Sequence, residues 1–308
     1  MKDLKETCKV AVIQAAPVLF NREETVRKAV SLIHEAGKKN VDLIIFPETF
    51  IPCYPRGFSF GNSVGNRTME GRDDYNKYYD NAVIVPSEAT DAIAEAAQAV
   101  GAYVGMGITE RDLTSCTLYC TYLIFSPEGK LVGKHRKTKP TGMERCMWGD
   151  GHEGSVCTVD TDFGRLGVLI CWENYMPLAR AALYQKGISI YLAPTADGRE
   201  SWQNTMKHIA LEGRCFVIGC NQAFTKSMYP SDFNYQSELD SFPENIGTGG
   251  SCIVTPYGEY VAEPVFNSET ILYGELDMGM VPKSRMDFDP SGHYVRPDIY
   301  ELIVHEDK

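Results

Sequence analysis

The chain is predicted to be one α/β domain whose sheets mix parallel and antiparallel strands. Short apolar runs of strand length alternate with helical patterns along all 308 residues. Several runs are joined by tight turns instead of helices, which adds antiparallel pairs to the parallel ones. No linker rich in Pro, Ser or Gly and no block of charge divides the chain, and α/β folds reach this length as one unit. A single domain over 1–308 is therefore expected, with its core at about 8–280 and a tail at 281–308.

Val10-Ala11-Val12-Ile13 is the first buried strand. Asn21-x-x-Glu24 has the form of a capping box, and Val26, Ala29, Val30 and Ile33 follow at helical spacing, with Gly37 placed to stop the helix. Leu43-Ile44-Ile45-Phe46 is a second strand ended by Pro47. Residues 9–46 thus form β-α-β, which implies a parallel pair and a right-handed crossover. The polar stretch 57–80 is too long for an idle connection and reads as a functional loop or interface. Pro86-Ser87-Glu88 opens an Ala-rich helix to about Val100, and a strand follows over 102–108. Ser126-Pro127-Glu128-Gly129 is the turn of a hairpin joining 119–125 to 130–133. Asp162-Phe163-Gly164 precedes a strand at 166–170. Pro177 suits the first turn of a helix to about Gln185. Then come a strand over 188–193, a helix over 201–213 and a strand over 216–219. A hairpin around Pro256-Tyr257-Gly258 and a strand over 271–275 close the core.

Composition bounds the function. With 44% hydrophobic and 23% charged residues, the chain is an ordinary globular protein. Its 30 basic and 41 acidic residues give a net charge of −11, which disfavours nucleic acid or an anionic membrane as partner. No apolar run approaches the roughly 20 residues that span a bilayer. There are ten cysteines, yet no C-x-x-C and no H-E-x-x-H, so the common dithiol and zinc patterns are missing. The apolar stretch after the first nine residues is short and broken by Gln14, unlike a secretion signal. Reduced thiols in the cytoplasm are expected.

Three reactive residue types stand just past buried strands, where α/β folds place active sites. Glu48 follows residues 43–46 and a proline, with no obvious solvated face. Lys137 follows the 130–133 strand within His135-Arg136-Lys137-Thr138-Lys139, a cluster that equally suits a solvated basic face. Cys171 directly follows Gly167-Val168-Leu169-Ile170 and stands just before a helix. A lysine or helix N-terminus aimed at that sulfur would favour its thiolate, whereas most intracellular cysteines are small core hydrophobes. Cys8, Cys157, Cys215, Cys220 and Cys252 fit the core reading. Gly57-Phe58-Ser59-Phe60-Gly61 matches the serine-hydrolase elbow G-x-S-x-G but lacks the strand before it and the helix after it. Gly247-Thr248-Gly249-Gly250 leads into a strand and reads as a turn, not a phosphate loop.

The identities around the three candidates carry more. The segments Phe46-Pro47-Glu48-Thr49-Phe50, His135-Arg136-Lys137-Thr138-Lys139-Pro140 with Glu144-Arg145, and Cys171-Trp172-Glu173-Asn174 resemble the three catalytic segments of the nitrilase superfamily, in the right order. The likeness continues through Ala193-Pro194-Thr195, Glu212-Gly213-Arg214-Cys215-Phe216 and Gly292-His293-Tyr294-Val295-Arg296-Pro297-Asp298. Cys-Trp-Glu-Asn and Tyr54-Pro55-Arg56-Gly57 resemble the true nitrilase branch. The Lys-Thr-Lys at 137–139 departs from a pattern that usually has an apolar residue after the lysine.

This resemblance implies a four-layer α-β-β-α sandwich of two mixed sheets. It implies a hydrolase that converts an organic nitrile to a carboxylic acid and ammonia, or failing that an amidase or carbamoyl-amide hydrolase; the distant alternative is a non-catalytic binding subunit of the same fold. In that family's terms Cys171 is the nucleophile, Glu48 the general base and Lys137 the stabilising cation. Glu144 supports the lysine, and the backbone N–H of Trp172 is a second donor. No metal or organic cofactor is implied. The partners implied are a small nitrile or amide and further copies of the chain in a homodimer or larger assembly. The helix over 177–186 and the 57–80 stretch are the candidate interfaces. Tyr54 and Trp172, aromatic neighbours of these positions, read as pocket walls or as core; His135 and His293 read as structural.

Overall fold

The computed structural model describes residues 4–152 and 156–305; the ends of the predicted domain, 1–3 and 306–308, lie outside the described residues. Thirteen strands build two sheets. Those of the first are β1 (Thr7–Gln14), β2 (Leu43–Ile45), β3 (Tyr103–Arg111), β4 (Leu118–Phe125), β5 (Leu131–Arg136) and the late β13 (Thr270–Asp277), ordered β13-β1-β2-β3-β4-β5. The second contains β6 (Thr158–Thr161), β7 (Gly164–Val168), β8 (Ile190–Pro194), β9 (Phe216–Cys220), β10 (Ala223–Thr225), β11 (Asn245–Val254) and β12 (Tyr260–Phe266). Its order is β10-β11-β9-β8-β7-β6, with β12 on the other side of β11's ladder. Each sheet has three central parallel strands, β1-β2-β3 and β7-β8-β9, flanked by antiparallel ones. The mixed sheets expected from the sequence are therefore present, and residues 9–46 form the predicted β-α-β unit.

Strand periodicity explains the layering. Alternate residues point to opposite faces, so Val10 and Val12 join one apolar cluster while Ala11 and Ile13 join another. The first cluster lies between the sheets: Leu43, Ile45 and Tyr122 of one meet Val168, Leu192 and Ile218 of the other. The outer face of the first sheet is covered by helices α1 (Arg22–Gly37) and, after α2 (Met69–Asp80), α3 (Glu88–Val100), which contribute Ala29, Ile33, Ile93 and Ala97. Helices α4 (Pro177–Gln185) and α5 (Glu200–Gly213) cover the second sheet with Leu183, Met206 and Ile209. The result is the α-β-β-α sandwich. Both faces of the central strands are buried, which is why these segments read as continuous apolar runs instead of alternating ones. The Cys220 thiol ties the sheets together, donating to the carbonyls of Ile13 and Ile45 at 3.4 Å.

Four local expectations are corrected. Asn21 caps α1 by accepting from the Glu24 N–H, but the Glu24 carboxylate turns to Arg27 and does not close a capping box. Gly37 does not stop α1; it is the last helical residue, and a Cβ there would stand 2.5 Å from Val100, so glycine lets α1 pack on α3. The 57–80 stretch is not all loop: Met69–Asp80 is α2, capped by Thr68, and its Tyr78 packs with Phe20, Phe58 and Phe60 in an aromatic cluster. Gly247 to Gly250 lie inside strand β11, where positive φ at Gly249 and Gly250 accompanies a bulge.

Candidate active site

The site gathers where the central strands of both sheets end. After β2 the chain keeps pairing with β3, as Phe46 N–H donates to Gly105 O and Ile51 N–H to Gly107 O. Gly107 is required, because a Cβ would lie 2.0 Å from Pro47 O and 2.6 Å from Thr49 N. Thr49 takes a left-handed φ of 43°, and the Gln222 amide donates to Glu48 O at 2.8 Å. Glu48 is thereby aimed inward and fully buried.

Lys137 follows β5 and is held by backbone bonds to Cys120 O and from Gly151 N–H. Its ammonium donates to Glu48 Oε1 at 2.7 Å and to Glu144 Oε2 at 2.8 Å. Glu144 belongs to a 3₁₀ turn, Gly142–Cys146, and also accepts from Thr141 N–H at 2.7 Å and from the Tyr54 hydroxyl at 2.7 Å. The neighbouring Lys139 instead pairs with Asp150 at the surface. The ambiguity of Lys-Thr-Lys is thus resolved: Lys137 is the buried lysine.

Cys171 opens a second 3₁₀ turn, Cys171–Tyr175, separated from β7 by Leu169 and Ile170. Its φ is 50°, a left-handed value that costs a non-glycine residue about 1–3 kcal/mol. The turn is pinned by Asn174, whose amide donates to Cys171 O at 2.7 Å and to Leu169 O. Glu173 fastens this turn to the lysine segment. Its carboxylate accepts from Ile170 N–H, Thr138 N–H and the Thr138 hydroxyl, and it faces His135 Nε2 at 2.8 Å. Although buried, Glu173 is held down at about 2 by His135 and these donors. Glu173 and His135 together tie the cysteine turn to the lysine segment.

Burial dominates the electrostatics of the site. A lysine lies near Cys171, yet burial first, and then the charge of Glu48, push the thiol up to about 12. Burial likewise raises Glu48, with Lys137 offsetting part of the effect. Burial opposes charge on Lys137, but Glu48 and its neighbours hold that group well above its ordinary value. Glu48 Oε2 accepts no hydrogen bond of ordinary geometry, and the nearby Cys171 thiol is among the groups that favour its ionised form. Burial thus disfavours the thiolate at Cys171, and Glu48 stands nearby with an oxygen that accepts no hydrogen bond of ordinary geometry.

A cavity of about 420 Å³ opens onto Cys171 and Glu144, with Tyr54 and Trp172 among its walls. Both aromatic positions singled out from sequence are thus brought to the pocket. Trp172 remains 40% exposed, and its indole donates to Asp197 at 3.0 Å. Several residues were missed. Thr195 donates its hydroxyl to Cys171 Sγ at 3.3 Å, and the Cys120 thiol donates to Glu48 Oε1 at 3.4 Å. Arg56, Asp197 and Arg199 also line the cavity. For Thr195 and Arg56 the only signal was membership in segments that matched the family. Cys120 is buried beside Glu48, whereas Cys116 and Cys146 are exposed. Cys8, Cys157, Cys215, Cys220 and Cys252 are buried as expected. Ser59 bonds Glu238 and is no nucleophile elbow. Among the described residues no group of three or more His, Cys, Asp or Glu side chains is arranged to hold a metal ion, and no helix is long and apolar enough to cross a membrane.

The family model for carbon-nitrogen hydrolases matches residues 9–286. The chain is 46% identical over 300 residues to an aliphatic nitrilase of Sinorhizobium fredii, covering 97% of this chain and 96% of the relative. It is 44% identical to nitrilase 2 of Arabidopsis thaliana, covering 97% and 88%. It is 43% identical to a bifunctional nitrilase/nitrile hydratase of Nicotiana tabacum, covering 97% and 86%. Among solved structures, Nit3 of Saccharomyces cerevisiae, a member of branch 10 of the nitrilase superfamily, superposes with a TM-score of 0.74 at 25% identity, covering 94% of this chain and 96% of that one.

Proposed function

The chain belongs to the carbon-nitrogen hydrolase family, in its nitrilase branch, and on that premise we propose that it is a nitrilase working through Glu48, Lys137, Glu144 and Cys171. The observation that carries the residue roles is the buried lysine clamped between two carboxylates beside a buried neutral thiol. The open oxygen of Glu48 takes the Cys171 proton as sulfur attacks the nitrile carbon, so that negative charge never rests on sulfur in the free enzyme. The proton passes to the former nitrile nitrogen, giving a thioimidate. Water then adds with Glu48 as base, and the C–N bond breaks as ammonia leaves with the returned proton. A second water hydrolyses the thioester, releasing the carboxylic acid and the thiol.

Lys137 faces the charge that develops on nitrogen and then on the tetrahedral oxygen. The Trp172 N–H, second in its 3₁₀ turn, joins as a donor in this reading. Glu144 holds Lys137 and presents it to the cavity. Tyr54 holds Glu144 and, with Trp172, shapes the pocket. The chemistry uses side chains and water, with no cofactor.

The direct test is ammonia release from aliphatic, aromatic and arylacetonitriles and from cyanide, with the matching amides alongside. Nitriles should release ammonia without free amide accumulating, and Cys171→Ala should abolish release while the thermal unfolding profile is kept. Turnover of amides alone would instead support an amidase. In solution the chain is proposed to be a homo-oligomer of the reducing cytoplasm. Exposed Leu178 on α4, beside Tyr175 and Met176, offers an apolar face for that contact, and sedimentation velocity reads the outcome.

A further inference from the structure

Two guanidinium groups line the cavity, and their situations differ. Arg199 is neutralised by Asp197, which takes both its Nε and Nη2 donors. Arg56 has no such partner: among the described residues no carboxylate pairs with it. Its Nη2 donates to the Ala196 carbonyl, and its plane lies over the Tyr54 ring, 5.4 Å from the centroid. Its backbone is fixed, since the Tyr229 hydroxyl donates to Arg56 O at 2.6 Å from within an aromatic cluster. A guanidinium carries five N–H donors; the Ala196 carbonyl takes one on Arg56, which lines the cavity. At the other end, Lys137 balances one of the two carboxylates of Glu48 and Glu144. The pocket is therefore polar along its length: net negative at the thiol, positive at Arg56.

We propose that Arg56 is an anion-binding residue of the substrate pocket, and that the preferred substrates are small nitriles bearing a carboxylate remote from the nitrile. This rests on the nitrilase reading above and deepens it. A carboxylate fits the guanidinium fork through two parallel hydrogen bonds. The net negative charge around Glu48 and Glu144 rejects the same group at the thiol end. One interaction thus selects the substrate and sets its direction, nitrile toward Cys171.

The test compares ω-cyanoalkanoates of increasing length with ω-cyanoalkanols of the same length, by ammonia release. The wild-type enzyme should favour the carboxylate at its best length by about 10- to 100-fold in kcat/KM, through KM. Arg56→Leu should bring that ratio near one, and Arg56→Lys should keep part of it. No carboxylate preference in the wild type, or one that survives Arg56→Leu, overturns the proposal. If Arg56→Leu does not fold, saturated carboxylates tested on the wild-type enzyme decide: competitive inhibition by them and not by the matching alcohols supports the subsite, and its absence overturns it. If no nitrile is turned over, the nitrilase reading fails separately. Calorimetric titration of wild type and Arg56→Lys with saturated carboxylates then still reads the subsite, with weaker binding to the lysine variant supporting it and no binding to either overturning it.

Discussion

Glu48→Gln isolates the step on which the proposed chemistry depends. The substitution keeps an acceptor for Lys137 and Cys120 and removes the base. A thiol at about 12 is five pH units from ionising at pH 7, so about one site in 10⁵ would carry a thiolate, a cost of about 7 kcal/mol. Loss of the Glu48 charge itself recovers part of that cost, because that charge helps to raise the thiol. A general base is worth about 10²- to 10⁴-fold, so single-turnover thioimidate formation should fall by about 10³-fold. The pH profile discriminates further. Deprotonation becomes a pre-equilibrium in the variant, so its rate should rise nearly tenfold per pH unit between 7 and 10, while the wild type does not follow that slope. Rapid-quench mass measurement of the covalent adduct on Cys171 reads both. A variant within tenfold of the wild type, or one with a flat profile, would falsify the assignment of Glu48 as base.

Lys137→Met leaves Glu48 and Glu144 buried without their cation and should cost about 3–5 kcal/mol in urea unfolding, along with turnover; wild-type stability would show that the carboxylates do not need the ammonium. Iodoacetamide at pH 7, followed by peptide mapping, should label exposed Cys116 and Cys146 before Cys171, reversing the order expected of an activated thiolate. Glu173, held at about 2 against 4.5 when unfolded, contributes stability that is fully present above pH 4.5 and lost as pH falls toward 2. The linked loss is about 3 kcal/mol, and Glu173→Gln should flatten that part of the acid-unfolding curve; an unchanged acid limb would remove Glu173 from the account.

Much of the framework is legible locally. Apolar runs reveal strands buried on both faces, and Pro177 marks the start of α4, because backbone periodicity and proline geometry act over a few residues. Gly37 shows the limit: its glycine serves contact with Val100, 63 positions away, and no local rule signals that. The three candidate segments were recognisable as strings, but the surroundings of Cys171 were not. Lys137 nearby argued for a thiolate, and the deciding terms, burial and the facing Glu48, exist after two sheets have closed. Arg56 and Arg199 illustrate the same point. Both are arginines in loops; one is cancelled by an aspartate two positions before it and the other faces the cavity uncancelled.

The tie made by Glu173 has a mechanical consequence. Glu48 and Lys137 extend from the first sheet and Cys171 from the second, so the gap between the proposed base and the proposed nucleophile is also the spacing between the two layers. Catalysis then acts as a gauge of that spacing, since a misplacement of about 1 Å costs about 10²-fold in rate. Glu173, bonded to both layers, is the clamp that sets the zero of the gauge. Hydrostatic pressure or a cavity opened at Val168 or Ile218 should register in turnover well before either registers in unfolding.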